Sequence, residues 1–191
     1  MFEAQVALAA ELGLPLFVHL RERDADKGEA IGAYTDALAI LSRHAAAVPP
    51  HRVCVHCFTG GLDDLQPLAS AGFYVGVTGF VGISKRSGET IAALRALSSG
   101  GEDGAAPVLS AERILLETDA PFMAPDKQWL PRETGLGGRK NEPAAMAAVC
   151  RAVAAALGVT PAVLARQTSE NSDRFFGLPE RRARLASGEA Q

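Results

Sequence analysis

The sequence predicts an α/β fold built on a parallel sheet, and three observations lead there. Short runs that are apolar on both faces, at residues 14–19, 52–58, 73–80 and 113–118, read as strands buried on both sides. Segments with helical spacing separate them, as crossovers between parallel strands require. The strands also end on residues that carry chemistry, and in parallel α/β folds active sites lie at those C-terminal ends. Four strands are too few for a closed barrel of eight, so the sheet is either open or one part of a barrel.

Each element has its own signal. "FEAQVALAAELG" is a weakly amphipathic helix stopped by Gly13, which makes the chain begin as if inside a domain. "LPLFVH" is the first strand, followed by the polar loop "RERDADKGEA". Ile31, Tyr34, Leu38 and Leu41 mark a helix over 30–44. The second strand breaks at Gly60-Gly61, a short helix ends at Gly72, and "FYVGVTGF" is the third strand. "ETIAALRALSS" is a helix and "GGEDGAAP" a loop before the fourth strand, "RILLET". Residues 121–141 form a long irregular loop, a length usual for functional segments. Pro143 and Gly158 bracket one helix, and Thr160-Pro161 opens a shorter one, "TPAVLARQ". "SENSDRFFG" closes the fold, and residues 179–191 are expected to be a disordered tail.

The totals exclude several function classes. The chain has 191 residues, 48% of them hydrophobic and 21% charged, which is ordinary globular composition. A net charge of −3 provides no bulk basic field for nucleic acid or an anionic membrane, so any anion contact must be local. Three cysteines make a disulfide framework implausible and a reducing compartment the expectation. No apolar run approaches membrane-spanning length and no secretory signal opens the chain; an intracellular, cytoplasmic protein with no obligate protein partner is expected.

The strand ends carry the functional argument. The first ends at His19 and is followed by Arg21, the second ends at His56, and the fourth in Glu117 and Asp119. By strand alternation His19 shares a face with Phe17, His56 with Cys54 and Phe58, and Glu117 and Asp119 with Leu115. If those faces meet, two imidazoles and two carboxylates converge, a donor set suited to zinc, manganese or magnesium. A lone strand-end histidine is usually structural and a lone acid often a helix cap; matching ends favour function. Glu117 could instead pair with Arg21. Cys54-Val55-His56-Cys57 is not read as a zinc knuckle, because its cysteines lie on opposite faces of a strand; they are expected to pack as small apolar residues. His44 and His51 read as solvated. Lys127, Arg132, Arg139 and Lys140 lie in the long loop, either solvated or reaching a substrate phosphate.

"PLFVHLRERD", "VHCFTGG", "YVGVTGF", "ILLETDAPF", "RKNEP" and "SENSDRFFG" together resemble, in order, the blocks of the TatD-like metal-dependent deoxyribonucleases, over residues 2–178. The resemblance implies a (β/α) TIM-type barrel of the metal-dependent hydrolase superfamily that cleaves DNA phosphodiesters from 3′ ends with two divalent ions (Mg, Mn or Zn). It implies His19 and His56 as ligands of one ion and Asp119 as ligand of the other and as the residue handling the water proton. It places Glu117 behind the ligands as their support, and Arg21 and Asn141 against substrate. The family also opens with a His-x-His strand and carries a bridging glutamate on a later strand, and neither is found here. The expectation is a single domain over residues 1–178 forming the C-terminal portion of such a barrel, lacking its first strands and part of the metal cage. The alternative is a catalytically inactive remnant that binds without cleaving; a rival within the enzymes is a hydrolase of amides or lactones.

Overall fold

The computed structural model describes residues 1–22, 31–99, 109–130 and 140–179. Arg132, Arg139, the loop over 100–107 and the tail from residue 180 lie outside the described residues. The described chain runs α1 (Phe2–Leu12), β1 (Leu16–His19), α2 (Ala33–Arg43), β2 (Val53–His56), α3 (Leu62–Ser70), β3 (Tyr74–Val77), α4 (Gly88–Ser98), β4 (Ile114–Leu116), α5 (Met146–Leu157) and α6 (Pro161–Phe176). The four strands are parallel and lie in the order β1-β2-β3-β4, so chain order is sheet order. Among the described residues no single helix is long and apolar enough to cross a membrane.

Register explains why the strands are apolar on both sides. Val53 pairs with Leu16, Val55 with Val75, and Val75 with Ile114, which sets one valine-rich face against the helices. That face meets Leu65, Leu68, Leu94, Val149, Val153 and Leu164 in the main core. Each fully buried Val or Leu contributes about 1.5–3 kcal/mol relative to exposure. On the opposite face Cys54, Tyr74 and Leu115 form a smaller cluster with Phe175. Phe17, on the same face of β1, stays half exposed.

Helix ends follow the local chemistry. Gly13, Gly158 and Gly177 take the left-handed conformation that stops α1, α5 and α6. Thr160 caps α6 by accepting from the Val163 N–H at 3.3 Å. That helix corrects the expected short one: it continues through "SENSDRFF" to Phe176. Leu164, Thr168, Asn171 and Phe175 make its buried stripe, and two of these are polar, which hid it from hydrophobic periodicity. Both are satisfied. Thr168 donates to the Leu164 carbonyl at 2.9 Å, and the Asn171 amide donates to the Ala111 and Ile114 carbonyls at 2.8 and 2.7 Å. Asn171 therefore ties α6 to the start of β4. Pro143 opens a 3-10 turn rather than the helix, which begins at Met146. His44 is not simply solvated: Arg43 and His44 both reach the Glu3 carboxylate, at 3.0 and 3.4 Å, joining α2 to α1.

Candidate metal centre

β2 ends at His56, and the alternation of the strand ends with it. Cys57 takes φ 49, so its neighbours are redirected. Phe58 turns to the helix side, against Tyr34 at 6.2 Å between ring centroids, instead of sharing the His56 face. The Cys57 thiol turns to the site, 3.5 Å from Asp119 Oδ2 and 3.7 Å from Thr78 Oγ1. The expectation that this cysteine packs as a small apolar residue fails for that reason; Cys54 and Cys150 are buried as expected. Burial, and then the Asp119 and Glu117 charges, push the Cys57 thiol up to about 12, against a lowering bond from Thr78.

Glu117 leaves β4 and crosses the neighbouring strand. Its Oε1 accepts the Cys57 N–H at 2.5 Å and its Oε2 accepts from His56 Nδ1 at 2.5 Å. Gly76 makes the crossing possible: a Cβ there would stand 3.0 Å from Glu117 Cδ and 3.3 Å from the Cys57 nitrogen. Glu117 thus pairs with His56 and the Cys57 backbone, and the alternative pairing with Arg21 is set aside.

With Nδ1–H donated to Glu117, His56 turns Nε2 toward Asp119 Oδ1 at 3.3 Å. Two lone pairs then face each other unless a proton or a cation lies between them. The ligand atoms of His56, Cys57 and Asp119 all lie within 4.8 Å of one another. For tetrahedral metal–ligand bonds of 2.0–2.3 Å, neighbouring donors stand about 3.3–3.8 Å apart, which the His56–Asp119 and Cys57–Asp119 separations of 3.3 and 3.5 Å match. A carboxylate behind a ligating histidine is the usual way of fixing the tautomer.

Asp119 itself has φ 52 and sits in a turn closed by the Phe122 N–H to the Asp119 carbonyl at 2.8 Å, with a cis Ala120–Pro121 peptide. Non-glycine residues in this region cost on the order of 1–3 kcal/mol and collect at functional sites. Asn141 holds the turn from behind. It is buried, and its amide donates to the Thr118 and Phe122 carbonyls at 2.7 Å each. Expected against substrate, Asn141 instead has both N–H groups engaged with the loop. Beyond the turn, Pro125 and Trp129 pack on Gly79 and Gly82, and Ser84 donates to Asp126 at 3.0 and 2.7 Å through its N–H and hydroxyl. The long loop is therefore anchored along its described length.

The remaining expected residues lie at the edge. His19 pairs in register with His56, but it is exposed, its ring 5.6 Å from that of His56 and outside the three-residue donor group. The structure thus sets His56 beside Asp119, whereas the resemblance divided them between two ions. Arg21 is exposed just past β1, while Glu22 accepts the Gly32 and Tyr34 N–H groups at 2.9 Å and ties the end of β1 to the start of α2. Lys127 and Lys140 are exposed. Sequence reasoning missed Cys57 and Gly76. A glycine inside a strand marks close approach of another group, and that was the available signal for Gly76.

Comparison with known proteins identifies the family. The sequence model of the TatD related DNase family matches residues 1–177. A protein of Erwinia billingiae (strain Eb661) named 3'-5' ssDNA/RNA exonuclease TatD is 35% identical over 178 residues, covering 93% of this chain and 58% of that protein. Its namesake from Pantoea ananatis (strain LMG 20103) is 36% identical over 177 residues, covering 93% and 57%. The chain thus spans little more than half the length of the curated relatives it matches. Among solved structures, the TatD homolog YJJV from Escherichia coli k12 superposes with a TM-score of 0.65 at 22% identity, over 91% of this chain and 54% of that one. A TatD family hydrolase from Entamoeba histolytica gives 0.64 at 16% identity, over 92% and 55%. These likenesses carry the fold, the family match carries the motifs, and the chain belongs to the TatD related DNase family.

Proposed function

We propose that this chain carries the working rim of a divalent-metal-dependent phosphodiesterase that shortens single-stranded DNA from its 3′ end. The observation that carries the reading is the line Glu117–His56–Asp119, in which a carboxylate orients an imidazole toward a second carboxylate with room for one cation between them. Relatives named as 3'-5' ssDNA/RNA exonucleases support the substrate class. His56 Nε2 and Asp119 Oδ1 would hold the ion, with Cys57 Sγ a third donor within reach and His19 placed to serve a neighbouring ion. When bound, a divalent ion supplies water activation and offsets charge gathering on the phosphoryl oxygens. Glu117 keeps the His56 tautomer fixed. Asp119 Oδ2 accepts the proton of the attacking water. Arg21 stands at the rim, where a guanidinium can pair two phosphate oxygens.

The test is cleavage of a 5′-labelled single-stranded oligonucleotide with and without Mg, Mn or Zn, by the chain and by Asp119→Asn. Shortening that needs the ion and falls at least ~100-fold in the variant is expected for loss of a proton-accepting group. Wild-type turnover by Asp119→Asn at saturating ion would sink the assignment. A melting temperature indifferent to divalent ions would remove the metal centre as well, because a ligand of the native state raises stability by mass action.

A further inference from the structure

The turn that carries Asp119 also carries Phe122, and its ring is 68% exposed. Apart from Met1 at the terminus, this is the most exposed large hydrophobic side chain among the described residues. Nothing about its backbone is loose. The Phe122 N–H donates to the Asp119 carbonyl at 2.8 Å, its own carbonyl accepts from the Asn141 amide at 2.7 Å, and the Asn141 N–H bonds the Pro121 carbonyl at 3.0 Å. A bond of that span closes a β-turn, so the Cα atoms of Asp119 and Phe122 lie within about 7 Å. A large apolar side chain is thus held in water, on a hydrogen-bonded turn, beside Asp119.

We infer that Phe122 is a stacking platform for the unpaired base beside the scissile phosphate, and so a determinant of the preference for single-stranded ends. The inference rests on the proposed reading of the site as a phosphodiesterase. Charge supports it by elimination: at −3 overall, the chain has no general basic field to gather a polyanion, so affinity must come from local contacts. Base–aromatic stacking is such a contact. It tolerates sequence because every base has a π-face, as an enzyme that trims successive nucleotides requires. It also needs a base free of its partner, which a duplex end does not offer. The pinned turn lowers the ordering cost on binding, since little of the platform remains to be immobilised.

The experiment compares wild type, Phe122→Ala and Phe122→Trp on two single-stranded oligonucleotides, one normal and one abasic at its 3′-terminal nucleotide, reading KM and kcat and the anisotropy of the labelled strand. Phe122→Ala is expected to raise KM for the normal strand about 5- to 150-fold with kcat nearly kept, the range of one lost stack. Phe122→Trp should restore it. On the abasic strand wild type and Phe122→Ala should coincide. Equal KM for wild type and Phe122→Ala on the normal strand, or an equal loss on both strands, overturns the platform while cleavage by the wild type leaves the phosphodiesterase reading in place. Wild type that neither binds nor cleaves either strand overturns both readings.

Discussion

Replacing Gly76 with alanine sets a methyl group where the Glu117 side chain now crosses β3. The new Cβ would stand 3.0 Å from Glu117 Cδ and closer still to Oε1, with the Cys57 backbone nitrogen at 3.3 Å on the other side. The strand backbone cannot yield, so the carboxylate must. It would give up the Cys57 N–H and His56 Nδ1–H bonds together. An orphaned buried N–H costs about 1–3 kcal/mol and a bond to a charged group is worth about 1.5–3; the Cys57 donor is a backbone N–H, and the His56 and Glu117 side chains are mostly shielded from water. Alanine recovers ~0.5–1 kcal/mol over glycine in a strand, so the net loss is roughly 1.5–5.5 kcal/mol. In a chain that already carries Glu117→Ala the methyl group meets no carboxylate, and Gly76→Ala should cost almost nothing. Urea unfolding of the wild type, both single variants and the double variant measures this as a coupling energy of about 2 kcal/mol or more. Coupling within the ~0.5 kcal/mol expected of independent sites would refute the bracket.

Three further expectations use the same contacts. Glu117→Gln keeps an oxygen for the Cys57 N–H but turns an NH2 toward Nδ1, which moves the imidazole proton to Nε2; calorimetry should show divalent-ion affinity down ~10–100-fold with little change in stability, and unchanged affinity would mean Glu117 does not set the tautomer. Asn141→Ala removes two bonds worth about 1 kcal/mol each, whereas Asn141→Asp sets acceptors against the Thr118 and Phe122 carbonyls and should cost roughly 1–3 kcal/mol more; urea midpoints that rank the two the other way would reject the pinned turn. Burial, and then the charges of Asp64 and Glu22, hold the Tyr34 phenol above its ordinary 10.0. A raised native value means the unfolded chain ionises first, so this contribution is complete below about pH 10 and is lost as pH rises beyond it. Tyr34→Phe should flatten part of that alkaline decline, the rest following the Cys54 and Cys57 thiols, which burial also raises; a decline of the same slope in the variant would place the titration elsewhere.

The ends of the strands were legible because parallel sheets buried on both faces leave an unbroken apolar run, and the first polar residue after it must stand at the rim. That logic places His19, His56, Glu117 and Asp119 at or just past the strand ends, where the structure has them. It failed at Cys57, where face assignment by alternation assumes an extended backbone and the chain instead turns to φ 49. The closeness of His56 to Asp119 was not legible for a related reason: which side chains meet depends on the reach of Glu117 across a neighbouring strand, and a single sequence shows no register. Asn141 was set against substrate by the resemblance alone, and no sequence signal showed that its amide bonds the Thr118 and Phe122 carbonyls. In α6 the buried stripe is half polar, and only the carbonyls offered by β4 make Asn171 a core residue.

The coincidence of chain order with sheet order has a kinetic meaning. The connection between β2 and β3 is shorter than those flanking it, so closing it sacrifices the least conformational freedom. That pair, joined through Val55 and Val75, is where assembly begins at lowest cost. β4 docks later, and only then do Glu117 and Asp119 reach His56 and Cys57. A donor set that joins either of these carboxylates to His56 or Cys57 thus forms only once β4 has paired. A divalent ion should therefore leave the rate of folding untouched and slow unfolding instead, acting as a latch on the finished sheet rather than a template for it. Stopped-flow traces with and without the ion read the two limbs separately, and an accelerated folding limb would show that the rim assembles first.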